Sequence, residues 1–128
     1  MKGTNMSKLE FATQMHARTK KFAIEIIQFF TKLPKSDEAR VLGRQLLRAG
    51  TSVAANYRAA CRSKSEADFI HKVGTVVEET DESLLWLELL QEAQICSEVL
   101  IAPLKSEADE LVRIFQTSLN TAKRNAGR

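Results

Sequence analysis

The chain has 128 residues, 44% hydrophobic and 27% charged, which is the balance of one globular domain and excludes a disordered chain. Its net charge of +3 is modest, and only five glycines and two prolines favour long helices joined by short turns. No apolar run approaches the roughly 18 residues of a membrane span, and the first 14 residues hold no apolar signal-peptide core, so we expect a cytoplasmic protein.

The first helical apolar pattern lies in the first quarter of the chain. Its members recur at spacings of three, four or seven residues: Met15, Phe22, Ile26, Phe29 and Leu33. Pro34 disfavours helix in the residue before it, so we expect this helix over about residues 13–33. Residues 1–14 are predicted to be a flexible N-terminal segment.

A second helix is expected over about residues 37–62. Ser36 is a natural N-cap, and the acids that follow it suit the positive end of the helix dipole. The middle of this helix is rich in small residues and includes Gly43 and Gly50, each of which costs about 1 kcal/mol of helix propensity. We therefore expect a neighbouring helix to approach closely here.

A third helix, capped by Ser65, is expected over about residues 65–94. Its predicted core stripe is Phe69, Val73, Val76, Thr80, Leu84, Leu87 and Leu90. Further apolar residues lie outside this stripe: Val77, Leu85, Trp86 and Leu89. Since a helix that is apolar on two faces packs against two partners, we predict that these four residues form a subunit interface.

A fourth helix is expected over about residues 98–123. Either Ser97 caps it and Pro103 lies inside it, or Pro103 is its first residue. The basic residues 124–128 are predicted to be a flexible tail. The short connections imply an all-α, antiparallel, up-down-up-down four-helix bundle over residues 15–123.

Charge is divided unevenly between the middle helices. The second carries five arginines against two acids, and the third carries eight acids against one lysine. If the two helices turn back near residue 64, Arg48 lies opposite the acids around Thr80. We predict a buried polar cluster formed by Arg48, Asn56, Glu79, Asp81 and Glu82.

The arrangement of His, Cys, Asp and Glu in the sequence indicates no catalytic or metal site. Asp68-x-x-His71 is one half of a di-iron motif, but His16 is the only other histidine and no second half exists. Cys61 and Cys96 are expected to be reduced and buried, because two distant cysteines suggest neither a zinc site nor a disulfide framework. We expect no catalytic residue, no cofactor and no metal.

Basic residues outside the predicted polar cluster are candidates for contacts with nucleic-acid phosphates. These are Lys20, Lys21, Lys32, Lys35, Arg58, Lys123, Arg124 and Arg128.

Three stretches resemble a known family. They are RTKKFAI at 18–24, LGRQLLRAGTSVAANYRAAC at 42–61 and EETDESLLWLELL at 78–90. They resemble the bacterial four-helix-bundle proteins encoded in 23S ribosomal RNA intervening sequences and their relatives, over about residues 15–123. The family commonly reads Glu-Gly after the Asn56 segment, whereas this chain has Ala59-Ala60.

The resemblance implies an up-down bundle that forms ring-like pentamers. A distant relative is the accessory protein of diversity-generating retroelements, which binds a reverse transcriptase and nucleic acid through a positively charged surface. We therefore expect a non-catalytic, homo-oligomeric scaffold that binds a protein partner such as a reverse transcriptase, with no membrane association. The alternative is an accessory protein that binds RNA or DNA through basic patches.

Overall fold

The computed structural model describes residues 6–128 and contains four long helices. They are α1 (Lys8–Thr31), α2 (Asp37–Cys61), α3 (Glu66–Glu92) and α4 (Glu98–Ala126). Each helix packs against the next one in the chain, and α4 returns to α1 over a shorter stretch. The protein is therefore the predicted antiparallel four-helix bundle. None of the helices in the described part is long and apolar enough to cross a membrane.

Both ends of the chain are more helical than the sequence pattern predicted. Ser7 and Glu10 form a reciprocal capping box, so α1 begins at Lys8 and not near residue 13. The segment 1–14, predicted to be flexible, is thus helical from Lys8 onward, and residues 1–5 lie outside the described residues. The predicted tail 124–128 continues α4 as far as Ala126.

The core is formed by one apolar stripe from each helix, because the helical period places these residues on a single face. Its largest fully buried side chains are Met15, Phe22, Ile26, Leu46, Val53, Val73, Val76, Leu87, Leu90, Ile101, Leu111 and Phe115. The expected cysteine burial is wrong for Cys61, which is exposed, while Cys96 is partly buried. Burial raises the pKa of the Cys96 thiol.

The α1–α2 seam depends on two glycines. A Cβ atom added at Gly50 would lie 2.9 Å from Cγ1 of Ile26, and one added at Gly43 would lie 2.6 Å from Cδ1 of Leu33. Both positions are buried in α2. The small residues at the centre of α2 therefore permit the close helix approach that the sequence predicted.

The turn between α3 and α4 closes α3 with a Schellman motif. The Ile95 amide donates to the Leu90 carbonyl at 3.0 Å and the Gln94 amide to the Gln91 carbonyl at 2.9 Å. Gln94 adopts φ 61°, a left-handed conformation that glycine usually supplies. Ser97 is then the N-cap residue and Pro103 lies inside α4, which is the first of the two predicted alternatives.

Candidate functional site

Arg48 joins α2 to α3 at the surface. Its guanidinium contacts Glu79 at 3.2 Å and also pairs with Glu82. Hydrogen bonds to these glutamates raise the pKa of Arg48. The structure thus brings together three of the five predicted cluster residues, but the Arg48 side chain is 49% exposed, so the group is not buried as predicted.

The other two predicted members lie elsewhere. The Asn56 side-chain amide donates to the Ser52 carbonyl of its own helix at 2.8 Å, which satisfies it locally. Asp81 is exposed, because it is one residue and thus about 100° around the helix axis from the buried Thr80. The prediction that Asn56 and Asp81 belong to the cluster was therefore wrong.

The predicted interface residues of α3 divide into two pairs. Val77 and Trp86 are partly buried and pack against the core, and the Trp86 indole donates to Glu82. Leu85 and Leu89 are 45% and 37% exposed. Acidic residues border this exposed pair at helical spacing. We call these residues the α3 strip: Leu85, Leu89, Asp81, Glu88 and Glu92.

A corresponding exposed strip on α1 was missed by the sequence analysis. Ile24 and Ile27 are 49% and 45% exposed, and Lys20 and Lys21 lie one turn before Ile24. We call the two isoleucines and Lys21 the α1 strip, because Lys20 lines a depression between α1 and α2 instead. The signal was available, since both isoleucines fall outside the core stripe of α1. Helices α1 and α3 are diagonal in the bundle, so their outer faces are on opposite sides.

Positive charge gathers at one end of the bundle, which we call the basic end. It comprises residues 6–18, 54–72 and 114–128 and holds nine Lys and Arg against three Asp and Glu, a net +6. Contacts join these segments, since His16 packs against Tyr57 with ring centroids 5.1 Å apart, and Lys123 lines a shallow depression with Ile70. The remaining described residues, 19–53 and 73–113, hold nine cations against thirteen acids, a net −4.

The predicted phosphate contacts are distributed over the whole molecule. The basic end contains Arg58, Lys123, Arg124 and Arg128. Lys32 and Lys35 are at the opposite end, beside the α1–α2 turn, and Lys20 and Lys21 lie between the two ends. The sequence analysis missed three further cations of the basic end that make no ion pair within the described residues: Lys8, Arg62 and Lys64. The antiparallel topology could have found them, because it places the α2–α3 turn beside both chain termini.

A bridge between α1 and α4 was also missed. The Arg18 guanidinium contacts Glu107 and Glu110, each at 2.7 Å. These hydrogen bonds raise the pKa of Arg18, and the bond from Arg18 lowers the pKa of Glu110. The two acids are three residues apart on one face of α4, which was the available sequence signal.

A depression of about 310 Å³ lies between α1 and α2. It is lined by His16, Thr19, Lys20, Ala54, Ala55 and Arg58. Within residues 6–128, no three His, Cys, Asp or Glu side chains converge in a group that could hold a metal ion. His71, considered as half of a metal motif, lies on a different depression between α3 and α4.

Comparison with known proteins identifies a family and a solved structure of similar fold. The family model described as 23S rRNA-intervening sequence protein matches residues 12–117. A crystal structure of a protein of unknown function from the S23 ribosomal protein family of Bacteroides thetaiotaomicron is 27% identical, with a TM-score of 0.79. The match covers 85% of this chain and 97% of that one. No curated protein matches this chain.

Proposed function

The chain belongs to the 23S rRNA-intervening sequence protein family, and from that premise we propose that it is a non-catalytic cytoplasmic scaffold that assembles into a ring and binds RNA through its basic end. The observation that carries the RNA proposal is the polarised charge: the basic end carries +6, or +5 without Arg18, which is already paired with Glu107 and Glu110, against −4 over the rest of the described chain. Phosphate binding depends on such local charge more than on the modest total of +3.

Most cations of the basic end are also free to bind phosphates, the exceptions being Arg18 and Lys72, which are paired with acids. Arg58, Arg62, Lys64, Lys123 and Arg128 make no ion pair within the described part of the chain, unlike Arg48 in the middle of the bundle. All five are exposed. An RNA strand therefore need not displace an internal carboxylate to reach them.

Assembly is supported by the two strips. The α1 strip pairs exposed isoleucines with Lys21, and the α3 strip pairs exposed leucines with acids, so the strips are complementary in charge. Because they face opposite sides of the bundle, the α3 strip of one copy can dock on the α1 strip of the next. Such a head-to-tail contact generates a closed ring when the rotation closes. Five copies, which the family resemblance implies, is the specific form that we propose.

Ring assembly would strengthen RNA binding. A closed ring repeats the basic end once in every copy, so phosphate contacts accumulate without any new residue. The two parts of the proposal are therefore connected, and each has its own test.

The RNA proposal is tested by fluorescence anisotropy with a single-stranded RNA across a series of salt concentrations. The variant Arg62→Glu/Lys123→Glu/Arg124→Glu removes three cations of the basic end. We expect it to bind about a hundredfold more weakly than wild type, with the slope of log affinity against log salt reduced by about 2, since each phosphate contact contributes about 0.7.

The matched control for this variant reverses three exposed cations at the other end of the bundle: Lys32→Glu/Lys35→Glu/Arg44→Glu. We expect its RNA affinity to stay within about threefold of wild type, because distant charges are screened by salt. An equal loss in both variants would show general charge attraction without a basic-end site. A DNA strand of the same sequence tests the DNA alternative in parallel.

The assembly proposal is tested by light scattering after size exclusion. Leu85→Glu/Leu89→Glu removes one side of the contact and Ile24→Lys/Ile27→Lys removes the other. We expect each variant alone to be monomeric and their equimolar mixture to form a heterodimer, because one intact pair of strips remains. A variant that still forms the wild-type oligomer would show that its strip lies outside the interface, and circular dichroism checks that both variants fold.

A protein partner is the second candidate function. Val99 and Leu100, which begin α4, are 88% and 37% exposed, far from the basic end. We propose this apolar pair as the docking point for a protein partner such as a reverse transcriptase. In a titration with a purified reverse transcriptase, Val99→Asp/Leu100→Asp is expected to lose binding while assembly and RNA affinity are retained. Equal binding by wild type and variant would reject this surface.

A further inference from the structure

The depression between α1 and α2 has the size of a small ligand site. Its volume of about 310 Å³ is at the lower end of the range of roughly 300–1,000 Å³ that ligand pockets occupy. It opens on the outer side of the seam, where the side chains of Ala54 and Ala55 are single methyl groups.

The small residues of α2 thus serve two different purposes. Farther along the seam, Gly50 is covered by Ile26, and any added atom would collide. At Ala54 and Ala55 the space above the helix is open and forms the floor of the depression. Close packing explains the glycines, but it does not explain the two alanines.

The polar groups that face the depression are nearly all basic. Lys20 reaches it from α1 and Arg58 from α2, and His16 completes the lining. Thr19 contributes no free donor, because its hydroxyl donates to the Met15 carbonyl at 2.8 Å. No carboxylate lines the depression, and none of the three basic residues is ion-paired within residues 6–128.

Aromatic packing holds one side of this lining in place. The His16 ring contacts Tyr57 edge-on at 5.1 Å between centroids, and Tyr57 in turn packs against Phe115 at 5.2 Å. Tyr57 is 4% exposed, so the chain of rings anchors His16 to the core. The imidazole is therefore presented on a rigid support and not on a mobile surface side chain.

We propose that this depression, the α1–α2 pocket, binds a phosphate monoester group. Lys20 and Arg58 bring two positive charges from neighbouring helices, and a phosphate monoester carries close to two negative charges at neutral pH. Arg58 presents a fork that suits two phosphate oxygens, and Lys20 adds a point charge from the other side. A carboxylate would neutralise only one of the two cations.

Two sources would supply this group. One is a free nucleoside monophosphate, for which inorganic phosphate is the simplest probe of the same charge. The other is the 5′ phosphate at the end of an RNA strand, and only this source depends on the proposed RNA binding. The chemistry at the pocket is the same for both, so separate titrations distinguish them.

The first titration uses inorganic phosphate and adenosine monophosphate with isotope-labelled protein, at constant ionic strength with chloride as the comparison anion. We expect saturable shifts of the Ala54 and Ala55 amide resonances with phosphate and none with chloride. Lys20→Met and Arg58→Met should each weaken binding at least about tenfold. The matched controls Lys35→Met and Arg44→Met remove an exposed cation outside the pocket and should bind as wild type does.

The second titration compares RNA strands that carry a 5′ phosphate or a 5′ hydroxyl. A preference of about tenfold for the phosphorylated strand, lost in Lys20→Met, would support the RNA end as the ligand. Saturable binding of inorganic phosphate without this preference would support the free molecule. Shifts that do not saturate, together with no preference between the strands, would overturn the pocket.

Failure of the proposed RNA function would look different from failure of the pocket. If the basic-end variant and wild type bind RNA equally poorly, the RNA proposal fails. The titration with inorganic phosphate still measures phosphate binding at the α1–α2 pocket directly. If RNA binding follows the basic end and Lys20→Met changes neither titration, the pocket fails and the RNA proposal stands.

Discussion

The two sides of α1 are joined to the bundle by different physical means. Toward α2, the seam is closed by shape, since Gly43 and Gly50 let the side chains of α1 sit directly against the α2 backbone. Toward α4, the helices approach over a shorter stretch, and Arg18 bridges it to Glu107 and Glu110.

Helix α1 is therefore held by two kinds of interaction that respond differently to salt and to added volume. Close packing acts at short range, is insensitive to salt and tolerates almost no added volume. An ion pair at the rim acts over a longer distance, weakens with salt and contributes little free energy when exposed. We therefore expect the α1–α2 seam to contribute more to the free energy of unfolding than the α1–α4 seam, and the α1–α4 seam to respond to solution conditions.

The largest expected effect is at Gly50. Gly50→Val places three carbon atoms where even a Cβ would be 2.9 Å from Cγ1 of Ile26, and Ile26 is β-branched and cannot move aside by a rotamer change. We expect the free energy of unfolding, measured by urea denaturation at fixed protein concentration, to fall by about 3 kcal/mol. A variant as stable as wild type would contradict the close approach of α1 and α2.

Gly74→Ala is the matched control for this substitution. Gly74 is also inside a helix, but a Cβ added there would meet nothing within 4 Å. Alanine should therefore stabilise the protein by about 1 kcal/mol through helix propensity alone. If the free energy of unfolding falls for the Gly50 variant and rises for the Gly74 variant, the packing requirement of the α1–α2 seam is separated from the general cost of glycine in a helix.

A smaller effect is expected at the α1–α4 seam. Arg18→Met removes both contacts of the bridge, whose Arg18 side chain is 26% exposed, and should lower the free energy of unfolding by about 1 kcal/mol. The loss should largely disappear in about 1 M NaCl, where the Debye length is about 3 Å. Arg113→Met, which removes a more exposed pair with Asp109, should cost at most about 0.3 kcal/mol. A loss at Arg18 that persists in high salt would point to packing by its side chain.

The smallest effect is the acid dependence of the same bridge. The hydrogen bond from Arg18 lowers the pKa of Glu110 below its ordinary 4.5 in the folded protein. Its contribution to stability is therefore complete above pH 4.5 and is lost as the pH falls through the lower folded value. Glu110→Gln should make the thermal midpoint less dependent on pH below 4.5, as measured by circular dichroism.

Asp68 provides the comparison for this prediction, because its lowered pKa arises from Lys72 on the same helix. In an Arg18→Met background, Glu110→Gln should no longer alter the acid dependence, while Asp68→Asn should still do so. If Glu110→Gln acts equally in both backgrounds, the α1–α4 bridge is not the cause of the pKa shift.

The sequence predicted the bundle because helix formation and helix ends depend on neighbouring residues. The N-caps at Ser36 and Ser65 depend on residues within one turn, and both are confirmed by hydrogen bonds to their side chains. A short turn also limits the register of its two helices, so the meeting of Arg48 with Glu79 and Glu82 could be predicted. The start of α1 was missed although its signal, the Ser7 capping box, was present.

The candidate surfaces were predictable only in part. The pattern of α3 indicated a second apolar face, but it could not decide that Val77 and Trp86 would pack inward while Leu85 and Leu89 stay exposed. Those exposures depend on where α2 and α4 cross α3. The prediction for Asn56 was wrong for a related reason. Its side-chain amide donates to the Ser52 carbonyl of its own helix and does not bind a residue of α3.

By itself, the sequence determined four helices, their order, their antiparallel packing and the family to which the chain belongs, because periodicity, caps and short turns act locally. Only the tertiary structure decided that Arg18 bridges α1 to α4 and that Lys20 and Arg58 line one pocket. These features join residues that are distant in the chain, and their distances depend on how the helices pack, which no local pattern records.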